Sequence, residues 1–210
     1  MVGSLTIALA IPECYIWARA SHSWDQGFAM HLYNVVCKEM VLWWNVDFSA
    51  EAVRLGQELE TVLDNTQAMH WVQADLRSWA DVSELSCFAP VDIILDKSTS
   101  DAIATSAPMA FSPSSDASDT CQEIQTIVQR DGEVTLLPVE VLALHLAPLA
   151  RPGAIWIALS FSTMRFENLP HAMAHWAVVA REALKAPHGH SSPSVHTPEV
   201  FHWLYVLKRK

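Results

Sequence analysis

Val91-Asp92-Ile93-Ile94-Leu95-Asp96-Lys97-Ser98-Thr99-Ser100-Asp101 begins as an apolar, β-prone run, ends that run in an acid and passes straight into a helix-start pattern. A strand covered on both faces reads this way, near-continuously apolar rather than alternating. Ser98 and Asp101 stand at S-x-x-D spacing, which predicts a short helix from Thr99 capped by Ser98.

The same arrangement occurs twice upstream. Residues 41–46 form an apolar run ending in Asp47, and residues 69–74 form another that runs into Asp75. After the first, Ser49 can cap a helix with Glu51 in its first turn, and Ala52, Leu55, Leu59 and Val62 predict one buried stripe. Downstream, Pro138 suits the first turn of a helix containing Val141, Leu142, Leu146 and Leu149. Arg151-Pro152-Gly153 predicts a turn and residues 155–160 a fourth strand. Strand–helix alternation of this kind indicates a doubly wound α/β fold with a mostly parallel sheet. Residues 176–183 and 201–207 read as two more strands, an antiparallel pair at one sheet edge. Residues 106–120 are rich in Ser, Asp, Pro and Ala and are expected to form a mobile loop.

Three strands thus end in Asp47, Asp75 and Asp96. In an open α/β sheet the ligand sits in the crevice beyond the carboxyl ends of the strands. A carboxylate there can accept two hydrogen bonds from a ribose diol, or one from an exocyclic amine. A single such Asp reads as a turn residue. Three at successive strand ends read as a site.

The residues around these acids resemble one family. Asn45-Val46-Asp47-Phe48-Ser49, Trp71-Val72-Gln73-Ala74-Asp75-Leu76-Arg77 and Asp96-Lys97-Ser98-Thr99-Ser100-Asp101-Ala102 look like successive motifs of eukaryotic class I S-adenosylmethionine-dependent methyltransferases. Within that group the motifs resemble those of the lysine methyltransferases of translation elongation factor 1A. Arg151-Pro152-Gly153-Ala154 is similar to the turn before the family's fifth strand, and residues 202–207 to its last strand. The resemblance implies a Rossmann-like sheet over residues 41–210. It also implies S-adenosylmethionine as cofactor and methyl transfer to a protein side chain of lysine type. By it, Asp47 with Phe48 would hold the ribose, Ala74, Asp75 and Leu76 would frame the adenine, and Asp96 and Lys97 would lie beside the methyl group. No catalytic base is assigned.

One motif departs from the pattern. The family's first strand leads into a glycine-rich turn, where bare backbone lets the cofactor approach closely. No G-x-G occurs in the chain, and its glycines are few, six in 210 residues. Met1-Val2-Gly3-Ser4-Leu5 and Gly27 are the two candidate remnants. Residues 1–40 are therefore set apart as a degenerate or truncated first motif, and the sheet is expected to lack its first strand. This departure supports an alternative, a catalytically silent methyltransferase-like domain that acts as a binding partner.

Composition narrows the rest. Thirteen Lys and Arg against 23 Asp and Glu give a net charge of −10, which argues against nucleic acid and suits a basic protein partner. Cys14, Cys37, Cys87 and Cys121 are widely spaced and read as thiols of a reducing, cytoplasmic setting. The apolar run over residues 5–11 has no preceding Lys or Arg and is cut by Pro12 and Glu13, so neither a signal peptide nor a membrane span is expected. His188, His190, His196 and His202 lack metal-ligand spacing, and no metal is expected. Trp79 is a candidate pocket wall, and Lys208-Arg209-Lys210 reads as a solvated tail. A short-chain oxidoreductase would need Tyr-x-x-x-Lys, but Tyr15, Tyr33 and Tyr205 are followed at that spacing by Arg19, Cys37 and Arg209. No G-x-S-x-G supports a serine hydrolase.

Overall fold

The structure is a computed structural model that describes residues 6–10, 43–61, 70–114, 119–185 and 200–210. Along the chain the elements are β1 (Thr6–Ala10), β2 (Trp43–Asp47), α1 (Ala50–Glu60), β3 (His70–Gln73) and α2 (Trp79–Glu84). There follow a 3-10 turn (Leu85–Phe88), β4 (Val91–Lys97), α3 (Thr99–Ile103), β5 (Met109–Phe111), α4 (Gln122–Asp131) and β6 (Val134–Leu136). The last are α5 (Pro138–Leu146), β7 (Ala150–Ser160), α6 (Ala172–His175), β8 (Trp176–Lys185) and β9 (Phe201–Arg209).

Seven strands form one sheet in the order β3-β2-β1-β4-β7-β9-β8. β2 with β3 and β4 with β7 are parallel, while β9 runs against both β7 and β8. The expected α/β sheet with an antiparallel C-terminal edge pair is therefore present. The position between β2 and β4, expected to be empty, is filled by β1, which runs antiparallel to both. Met1 to Leu5 and Gly27 lie outside the described residues.

Burial follows strand alternation. Val46, Ile94 and Trp156 point to one face and join Leu142, Ala143 and Leu146 of α5 in the main core. All nine residues of α5 are buried. Trp176 donates its indole N–H to the Ala143 carbonyl at 2.9 Å, which fixes α5 against β8. α1 lies at the β2–β3 end of the opposite face, where its Gly56 sits under the Trp71 ring. Helices thus cover both faces.

Four local expectations are corrected. The buried stripe of α1 is Val53, Gly56 and Glu60, whereas Leu55 and Leu59 are 45% and 46% exposed. The Trp71 ring needs a side-chain-free surface, and Gly56 supplies it. Ser98 does not cap α3: it is left-handed, at φ 63°, and its side chain makes no cap bond. The 106–120 stretch, read as a loop, holds β5. Phe111 packs with Ile124, Val128 and Leu136, so β5, α4 and β6 form a second small cluster. Arg151-Pro152-Gly153 is a bulge inside β7, since Val91 pairs with Ala150 and Ile93 with Ile155, and Gly153 takes φ +87°.

Candidate functional site

The sheet register brings the strand ends together. Asp47 pairs with Thr6 and with Gln73, and Thr6 pairs with Lys97, which pairs with Leu159. Asp47, Gln73, Lys97 and Leu159 therefore share one rung at the carboxyl edge. Asp96 lies one residue before that rung and Asp75 two residues beyond it. Alternation sends Asp47 and Lys97 to one face and Asp96 to the other. The acids share an edge rather than a face.

Each carboxylate has a distinct setting. Asp47 is 1% exposed and accepts from the Ser49 N–H at 2.8 Å, while its carbonyl accepts from the Ala74 N–H at 3.0 Å. That last bond ties the end of β2 to the turn after β3. Asp96, 3% exposed, accepts from the N–H groups of Thr99 at 2.8 Å and Ser100 at 3.2 Å. It is thus the cap of α3 that Ser98 fails to be. Burial pushes the Asp96 carboxyl up to about 6, against the opposing pull of these bonds. Phe48 is half-exposed at 49%.

Asp75 is the open one, with 35% of its side chain exposed. Its Oδ1 accepts from the Arg77 backbone N–H and from Nε, both at 3.0 Å, and its Oδ2 from Nη2 at 2.6 Å. The guanidinium fork holds this carboxyl below the usual range. Ala74 and Leu76 on either side are buried. The Leu76 carbonyl accepts from His145 Nδ1 at 2.9 Å, so that nitrogen carries the ring proton. Burial lowers the His145 pKa from 6.5.

Several polar residues at this edge gave no separate signal in the sequence. Asp101 accepts from Ser160 Oγ at 2.5 Å, the Phe161 N–H at 2.9 Å and Arg165 Nε at 2.8 Å. This network, with the Tyr205 hydroxyl on the Ser162 carbonyl at 2.9 Å, fixes the segment that leaves β7. Asp101 stood in the quoted motif, but nothing in its spacing identified Arg165, 64 residues away, as its partner. Trp79 is half-buried and packs against both core clusters, 5.5 Å from the His145 ring. Arg209 is not merely solvated, since it donates to the Ala147 and His175 carbonyls, both at 3.1 Å.

Among the described residues no group of three or more His, Cys, Asp or Glu could hold a metal ion. None of their helices is long and apolar enough to cross a membrane. The described glycines, Gly56, Gly132 and Gly153, lie away from the carboxyl edge.

No protein-family model matches the sequence. Among curated proteins, the chain is 25% identical over 166 residues to methyltransferase srdJ of Neurospora crassa, covering 79% of this chain and 56% of that protein. The chain thus spans little more than half the length of this relative. Among solved structures, one described as the conversion of a disulfide bond into a thioacetal group during echinomycin biosynthesis superposes at a TM-score of 0.50. It shares 14% identity and covers 87% of this chain and 70% of its own. The chain shares with this structure an α/β fold built on a mixed sheet, as the resemblance to methyltransferases leads one to expect. TrmN from Thermus thermophilus is a weaker match, at a TM-score of 0.45 and 13% identity over 87% of this chain and 40% of its own.

In chemical type the residues at the carboxyl edge suit an adenosine group. Asp75 has an open, ionised edge, the buried Ala74 and Leu76 flank it, and Phe48 offers an exposed ring beside Asp47. The methionine half has no glycine cradle among the described residues.

Proposed function

We propose that the chain is an S-adenosylmethionine-dependent methyltransferase whose acceptor is a protein side chain of lysine type, in the cytoplasm. The observation that carries the methyltransferase reading is the rung joining Asp47 to Lys97 at the carboxyl edge, with the Asp75 turn bonded to Asp47. The relative's description as a methyltransferase supports it. The finer reading of the acceptor rests on the resemblance of the 96–102 stretch and on the charge of −10, which favours a basic protein.

When bound, S-adenosylmethionine supplies an already activated methyl group, so catalysis is mainly alignment and desolvation. In this reading Asp47 holds the ribose hydroxyls, and Asp75 with Ala74 and Leu76 holds the adenine. Asp96 fixes the start of α3 and with it Lys97 at the end of β4. Asp101 and Arg165 hold the segment after β7, where Phe161 and Met164 are 61% and 57% exposed as an apolar wall for the acceptor. An apolar wall lowers the pKa of an amine and so favours its nucleophilic form.

A second reading, a silent domain that binds a partner, rests on the lack of a G-x-G in the sequence. Calorimetric titration with S-adenosylmethionine separates the two. The methyltransferase reading expects saturable binding that Asp47→Ala weakens roughly ten- to a hundredfold, the loss of charge-assisted bonds worth about 1.5–3 kcal/mol. A folded chain that takes up no S-adenosylmethionine supports the silent domain. Labelled methyl transfer to a lysine-rich protein, lost when its lysines are acetylated, then tests the acceptor.

A further inference from the structure

We infer that Arg77, braced on Ser106, is the positioning residue that makes the turn after β3 select adenine. It holds the Asp75 carboxylate in one orientation with one acceptor position open. This inference rests on the cofactor reading above.

A carboxylate offers about four acceptor positions. Arg77 occupies three of those on Asp75, two on Oδ1 and one on Oδ2. The remaining position, on Oδ2, belongs to a side chain that is 35% exposed. Arg77 is itself anchored, since its Nη1 donates to Ser106 Oγ at 2.9 Å, just beyond α3. The backbone on both sides is pinned as well. The Asp75 N–H donates to Asp81 Oδ2 at 2.8 Å, the Asp75 carbonyl accepts from the Ser78 N–H at 2.9 Å, and His145 holds the Leu76 carbonyl. These bonds hold the carboxylate in one orientation. It presents one lone pair in one direction.

Such a group distinguishes purines by chemistry. Adenine offers it the exocyclic amine, a donor. Hypoxanthine offers a carbonyl oxygen at the same position, and two acceptors facing each other repel. Protonation of Asp75 would remove the distinction by turning the acceptor into a donor. The Arg77 fork opposes that protonation, because it keeps the carboxyl ionised below its ordinary range.

The test uses S-adenosylhomocysteine and its inosine analogue as calorimetric probes of the full chain. The wild type should bind the adenine ligand at least tenfold more tightly at pH 7, with a ratio that holds down to about pH 5. Arg77→Met should weaken the adenine ligand about five- to tenfold and spare the hypoxanthine ligand, so that the ratio collapses, and collapses further as pH falls. Arg77→Lys should not restore it, because an ammonium cannot fork. Ser106→Ala, which removes only the brace, should lower the ratio partway with an unchanged melting temperature. A merely structural role for Arg77 would weaken both ligands alike. Equal binding of both ligands by the wild type, or an unchanged ratio in Arg77→Met and Ser106→Ala, overturns the inference alone. Absence of any binding overturns the cofactor reading and the inference with it.

Discussion

Asp47 and Lys97 pair with the same residue, Thr6, and so face each other across a single strand. At ordinary strand spacing their backbones stand roughly 10 Å apart. That distance is set by main-chain pairing and not by either side chain. Substitutions at Asp47 or Lys97 should therefore alter the chemistry of the edge while leaving its width unchanged.

Asp96 makes stability depend on pH in an unusual direction for a carboxylate. Its folded pKa, about 6, lies above the ordinary 3.8 because of burial. Its contribution is fully present below about pH 3.8 and is lost as pH rises through 6. Asp96→Asn keeps an oxygen for the Thr99 and Ser100 N–H groups and removes the buried charge. Thermal denaturation should show it more stable than wild type by about 1–3 kcal/mol at pH 8, with the difference vanishing near pH 4. A pH-independent difference would show that Asp96 titrates in the folded state as it does in the unfolded chain.

His145 acts in the opposite direction. Burial lowers its folded pKa below 6.5, so its contribution is present above pH 6.5 and lost as pH falls through the lowered value. His145→Gln can still donate to the Leu76 carbonyl. Its denaturation midpoint should fall less than that of the wild type between pH 7 and pH 5.

Asp101 and Arg165 form a pair at 2.6 Å with side chains only 13% and 16% exposed. Removing one partner strands a charge largely out of water. Asp101→Ala should cost roughly 3–5 kcal/mol in urea denaturation. Glu51→Gln, whose Arg54 partner lies in solvent, should hardly move the midpoint. Similar losses for both would mean the Asp101 network is no more than a surface pair.

Gly56→Ala tests the corrected face of α1. Alanine normally favours a helix by about 1 kcal/mol over glycine. Here an added Cβ would stand 2.2 Å from the Trp71 ring. The variant should be destabilised by roughly 1–3 kcal/mol in urea denaturation, with Trp71 emission shifted to the red. A stabilised variant would place Trp71 elsewhere.

The strands and their terminal acids were legible because apolar runs broken by Asp are a local signal. The stripe of α1 was not. Leu55 and Leu59 recur with a helical period as well as Gly56 and Glu60 do, and only the Trp71 ring on another element decides between them. The cap of α3 was misread for a related reason. S-x-x-D assumes an extended cap residue, but Ser98 turns left-handed and Asp96, two residues earlier, reaches the free N–H groups. The direction of β1 is set by sheet pairing alone and leaves no trace in its five residues. At the edge, the residue types of the candidate site were readable. Their occupancy by Arg77 and their burial were not, since both depend on where other elements fall.

Trp156 and Trp176 meet edge to face, with ring centroids 5.4 Å apart at 71°, and neither is exposed. Two indoles so close and so fixed behave as coupled chromophores, with a near-ultraviolet dichroic signature that exists only while β7 and β8 remain docked on α5. Trp44 and Trp71, half-buried at the other end of the sheet, emit from a different environment. Among the described residues these two groups of indoles report on opposite flanks of β1. Comparing them during unfolding would reveal whether the β2–β3 flank opens before the rest.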